Sequence, residues 1–267
     1  MPARSDVATD NPVPAPPFWG TRIVRGVALA EYSAFLDERA TFMGQWGLKP
    51  SRAEDGASYE ELVATEGRPR LRYWLDRILA EGMLDASVAY GYFPAYSEGN
   101  DLVILHHGDD PAGAVGPAGL LSPDGGSGGP VGTERLRFTF PRQRRDGHLC
   151  LADYVRSKDS GEIDVVALQL VTAGSAVDAF TAQMFAQNKY RDYLELNGLT
   201  MQLTEALAEY WHSRVRSELG FGGEDPDSIA RMFKLDYRGA RFSLGYPACP
   251  DMEDRRKVVE LLKPGRM

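Results

Sequence analysis

An arginine that leads into a segment unable to be a helix or an interior strand is a pattern suited to gripping an anion. The stretch from Arg241 to Asp251 reads RFSLGYPACPD. Pro247 and Pro250 fix φ and remove two amide donors, and Gly245 admits backbone angles closed to other residues, so the segment is a shaped, irregular loop. A guanidinium at its mouth forks well onto a carboxylate. A well-made turn whose arginine is merely solvated is the other reading these residues allow. Glu205, 36 residues earlier, adds acceptor oxygens for an ammonium or for ribose hydroxyls. Together the two describe binding and positioning of a small zwitterion. They are not an acid–base or nucleophilic apparatus.

Other chemistry-bearing residues are weaker candidates. Glu205, Glu209 and His212 are spaced four and three apart, which puts them on one helix face where they could ligate a metal, but exposed helix faces carry such residues routinely. His106 and His107 are adjacent and would point to opposite faces of a strand, so shared ligation is awkward. Cys249 has no neighbouring histidine to lower its pKa, and an inert, buried thiol is the better expectation. Gly125, Gly126, Gly128 and Gly129 follow no strand and precede no Lys-Ser/Thr pair, so they make no phosphate loop. No serine lies in a nucleophile-elbow context.

The elements that must carry these residues are readable in outline. Residues 1–17 hold five prolines and read as a Pro-rich leader or linker, followed by one domain over 18–267. Ile23, Val24 and Val27 suggest a short strand or a docking segment. Helical periodicity covers Leu29 to Trp46 and, with a restart at Pro69, Ser58 to Leu79. Ser87–Phe93 and Leu102–His106 read as a hairpin, Leu136, Phe138 and Phe140 as a half-buried strand, and Ile163–Val171 as another. The segment 108–133 is so rich in Gly and Pro that a flexible insertion is expected. Two further helices are predicted, one from Ser175 to Gly198 and one capped by Thr200 and ended by Gly220. A short helix at Asp227–Phe233 and a terminal one capped by Asp251 complete the chain. Helices, then antiparallel strands, then helices favour an α+β class.

Composition narrows the function. The 267 residues carry a net charge of −8 and 43% hydrophobic content, enough for a sizeable core and opposed to nucleic-acid or anionic-membrane partners. Two distant cysteines give no disulfide framework, and no apolar run nears the roughly 20 residues that span a bilayer. A cytoplasmic location is expected.

The run RxxxGYPACP at Arg241 to Pro250 resembles the signature of the S-adenosylmethionine-binding activation domain of cobalamin-dependent methionine synthase. Companion stretches agree in collinear order: YGYFPA at 90–95, Glu98 to Asp101 before a strand, PRQR at 141–144, CLADY at 150–154 and TEALAEYWHSRVR at 204–216. The resemblance implies a C-shaped single domain with a twisted antiparallel sheet flanked by helices. It implies the activation part of a methyltransferase in methionine biosynthesis, without the homocysteine, folate and cobalamin domains. Such a module binds S-adenosylmethionine and supports reductive methylation of inactive cob(II)alamin held by a partner cobalamin-binding domain, with a flavodoxin-type protein as electron donor. Because a sulfonium methyl is already activated, orientation is the protein's main task.

Carried over by position, the resemblance assigns Arg241 to the methionine carboxylate, Glu205 to polar groups of the ligand, the backbone of Ser243 and Gly245 to the adenosine side, and Tyr246 to the corrin. Some positions depart from the pattern. Pro14 to Pro17 stand where the family has an aspartate, Met201 stands where it is often acidic, and the C-terminus reads as shortened at Met267. The departures leave an alternative, a noncatalytic corrinoid-protein docking domain that has lost S-adenosylmethionine binding.

Overall fold

The structure, a computed structural model, describes residues 4–50, 56–107 and 133–266. The expected insertion at 108–133 lies outside them except for its last position. Contacts group the described residues into two compact units, one of 4–23, 89–107, 133–170 and 212–266, the other of 24–50, 56–88 and 171–211.

Strands β1 (Gly20–Arg25), β2 (Ser87–Glu98), β3 (Asp101–Leu105), β4 (Glu134–Thr139) and β5 (Asp164–Thr172) form one open antiparallel sheet in the order β1-β2-β3-β4, with β5 also on β2. β2 runs past Pro94 because it pairs with β3 only from Ala95 onward, leaving the proline outside that ladder. Glu98 and Asp101 face each other across Gly99 and Asn100, so the hairpin link is two residues rather than the expected eight. Gly91 of the YGYFPA stretch is required by close approach: a Cβ there would lie 2.2 Å from the Gly20 carbonyl oxygen. Its flanking tyrosines, Tyr90 and Tyr92, donate to one carboxylate, Glu218, at 3.1 and 2.9 Å. The core of this unit includes Tyr96, Val103, Leu105 and Ile163.

In the second unit the predicted helix over 29–46 resolves into short pieces: α1 (Leu29–Tyr32), a 3₁₀ turn at Ser33–Phe35, and a π turn at Ala40–Gln45. The interruption has a cause, because Leu36 is extended and Asp37 caps the new start through its carboxylate to the Ala40 amide at 2.9 Å. α2 (Tyr59–Leu62) opens on a complete capping box from Ser58 and Glu61, a π turn follows at Val63–Gly67, and α3 (Arg68–Glu81) takes Pro69 in its first turn and ends at left-handed Gly82.

The expected break at Gly198 is absent. α4 (Ala176–Ala186) ends earlier, at left-handed Asn188, and α5 (Tyr190–Glu218) then runs unbroken through Gly198 and Thr200. Gly198 is there for packing, since a Cβ on it would meet the Gln45 Cβ at 2.7 Å, and Thr200 turns its hydroxyl back onto the Leu196 carbonyl instead of capping. Glu195 on the same helix is buried and fully engaged, accepting from the Trp74 indole at 2.9 Å and pairing with Arg191. α6 (Ile229–Met232) and α7 (Asp254–Leu262) complete the chain; Asp251 accepts from the Glu253 amide, and α7 starts three residues later than expected. No helix among the described residues is long and apolar enough to cross a membrane.

Candidate functional site

The GYPACP loop is closed on itself. The Gly245 amide donates to the Cys249 carbonyl and the Cys249 amide to the Tyr246 carbonyl, both at 2.9 Å. Gly245 has φ +101°, so glycine is demanded by conformation; a Cβ on it would also lie 2.7 Å from the sulfur of the exposed Met252 side chain, which would have to shift. Cys249 is buried, its thiol donates to the Ser243 carbonyl at 3.0 Å, and burial pushes its pKa up. It is the inert, loop-tightening thiol that its sequence context suggests.

Ser243, Gly245 and Tyr246 therefore sit on one rigid turn, with half-buried Arg241 at its entry. Tyr246 projects its ring, 66% exposed, and Phe242 stands 6.1 Å from Tyr154, centroid to centroid. Phe242 and Ala248 line a small pocket with Pro141, Leu149, Leu151 and Tyr154. The PRQR, CLADY and GYPACP stretches thus meet at one place. Glu205 belongs to the other unit, exposed on the middle of α5.

What holds PRQR to CLADY is a buried ion pair between one residue of each motif. Arg142 donates to Asp153 at 2.5 and 3.0 Å, the two side chains being 4% and 1% exposed. Asp153 also accepts from the Ser5 amide at 2.8 Å and from its hydroxyl. Burial alone would raise the Asp153 carboxyl, but the bonds from Arg142 and Ser5 outweigh it and hold the pKa below its ordinary value. Arg4 anchors beside them, donating to the Ser97 hydroxyl and to the carbonyls of Asp153 and Val155. Arg4 and Ser5, within the stretch read as a leader or linker, are fastened to the body of their unit by these bonds.

The remaining candidates take structural places. His212 faces Arg216 through Nδ1 at 2.7 Å, which commits that lone pair to a guanidinium. His107 lies past the end of β3 and stacks on Trp19 at 6.3 Å. Among the described residues no group of three or more His, Cys, Asp or Glu is gathered as for a metal.

The chain matches the family model described as "Vitamin B12 dependent methionine synthase, activation domain" over residues 42–266. It is 55% identical to the methionine synthase of Mycobacterium tuberculosis and 52% identical to that of Mycobacterium leprae. Each alignment covers 100% of this chain but 22% and 21% of the relatives. The chain spans about a fifth of the length of these curated relatives. A crystal structure of the MetH reactivation domain bound to AdoHcy superposes with a TM-score of 0.72 at 25% identity, covering 94% of this chain and 72% of that one.

Proposed function

Since the chain belongs to the vitamin B12-dependent methionine synthase activation domain family, we propose that it binds S-adenosylmethionine and serves reductive methylation of cobalamin carried by a partner domain, with a flavodoxin-type protein as reductant. The observation that carries this reading is the likeness, over 94% of the chain, to a reactivation domain bound to AdoHcy, the demethylated form of that ligand.

The residues fit such a ligand. Arg241 would hold the carboxylate by a forked, charge-assisted pair, and Glu205 the ammonium or ribose hydroxyls. Gly245, bare of a side chain and fixed at φ +101°, lets the backbone from Ser243 to Gly245 approach the adenosine closely. Tyr246, exposed at the tip of the closed loop, would cover the corrin face of the partner. The bound ligand supplies an activated sulfonium methyl group. This chain's part is then to orient it and exclude water, which suits a site of fixed backbone and one guanidinium better than one of acids and bases.

Calorimetric titration of the 267-residue chain with S-adenosylmethionine tests the reading. One site is expected, and Arg241→Ala should weaken it by about 2–3 kcal/mol, the scale of a lost charged hydrogen bond. A folded chain that gives no binding signal by calorimetry or equilibrium dialysis overturns it.

A further inference from the structure

The last turns of α5 end in a buried cluster that belongs to none of the assigned ligand contacts. Arg216 is 1% exposed and its guanidinium is used on every side. Nε and Nη2 each donate to Asp225 at 2.7 Å, Nη1 meets His212 Nδ1 at 2.7 Å, and one face lies 4.0 Å from the centroid of the Tyr237 ring. His212 packs edge-on against the same ring at 5.3 Å, and Ser213 donates to Asp225 at 3.2 Å. Arg238, the next residue, pairs with Glu224 at 3.3 Å and covers the Phe221 ring at 4.7 Å.

Tyr237 is four residues before Arg241 in a stretch with no helix or strand. Between them Gly239 turns the chain at φ +86°. The loop beyond Arg241 is closed by its own hydrogen bonds and so moves as one piece. The direction in which Arg241 enters it depends on where the root is fixed. An arginine held bidentately by a carboxylate is a planar, immobile platform, and an aromatic ring on its face is located in two dimensions at once.

We propose that the Asp225–Arg216–Tyr237 stack is the positioning device for Arg241: it fixes the root of the ligand loop, and so the aim of its guanidinium, without touching ligand. This rests on the reading that Arg241 grips the carboxylate of S-adenosylmethionine.

The test compares Tyr237→Leu, Tyr237→Phe and Arg241→Ala in the full chain, measuring S-adenosylmethionine affinity by calorimetry beside thermal unfolding. Tyr237→Leu removes the stacking ring and should weaken binding at least 10-fold with a melting temperature within a few degrees of the parent. Tyr237→Phe keeps the ring and should bind within 2-fold. Should Tyr237→Leu fail to fold, Asp225→Asn, which keeps the side chain's shape but loosens its hold on Arg216, should weaken binding at least 5-fold. Near-parental affinity in the folded Tyr237→Leu chain, or in Asp225→Asn when it stands in for it, overturns the inference, as does equal loss in Tyr237→Phe and Tyr237→Leu. If Arg241→Ala itself binds like the parent, the underlying assignment of Arg241 fails instead, and the positioning role falls with it.

Discussion

Asp153 shows how much one residue can carry when burial leaves it no alternative partner. Its carboxylate neutralises Arg142 and takes two bonds from Ser5 at 2% exposure. Asp153→Asn would leave the Arg142 guanidinium buried without its counter-charge, and a loss of about 3–5 kcal/mol is expected by urea unfolding at neutral pH. The acid dependence follows from the depressed carboxyl. Its contribution is complete above the unfolded aspartate value of about 3.9 and is lost as pH falls through the lower folded value. Parental stability should therefore drop steeply below about pH 4, whereas the Asn variant, already deprived of the pair, should show a shallower acid limb. Neither Arg142–Asp153 nor Arg216–Asp225 was legible beforehand, since neither pair shares one helix or strand and only tertiary structure brings the partners together. The character of Cys249 was legible, because a thiol without a nearby histidine or helix start has nothing to activate it.

Among the elements, α5 separates local propensity from packing. Glycine is the ordinary terminator past a helix, so Gly198 followed by Thr200 reads as a stop and a new cap. The helix nonetheless continues, and the glycine serves packing, since the neighbouring Gln45 leaves no room for a side chain at 198. Gly198→Ala should accordingly destabilise: about 1 kcal/mol of helix propensity is gained, but overpacking against Gln45 costs roughly 1–3 kcal/mol. A higher denaturation midpoint for this variant would show that Gln45 yields freely. The strands were more readily foreseen than the helices, because alternation in Leu136, Phe138 and Phe140 has one period, whereas the apolar stripe of 29–46 is shared by pieces of different pitch.

For the molecule as a whole, a net charge of −8 leaves recognition of an anionic group to local placement of arginine rather than to the summed field. If the loop binds S-adenosylmethionine, the ligand stabilises the folded chain by mass action, about 2.7 kcal/mol at a hundred times its dissociation constant. Differential scanning fluorimetry should then show a melting shift of several degrees, most of it missing in Arg241→Ala at the same concentration. The irregular loop was apparent from Pro247, Pro250 and Gly245 alone, but what anchors it was not, because anchors are chosen by the fold. The fastening of Arg4 and Ser5 also alters what a protease would accomplish here. A cut within the proline-rich residues 12–17 would sever the chain without freeing Arg4 and Ser5, which stay held through Asp153, Ser97 and the carbonyl of Val155. Acid would loosen only part of that hold, because protonation of Asp153 weakens its bonds to Ser5 and leaves those of Arg4 to Ser97 and the Val155 carbonyl in place.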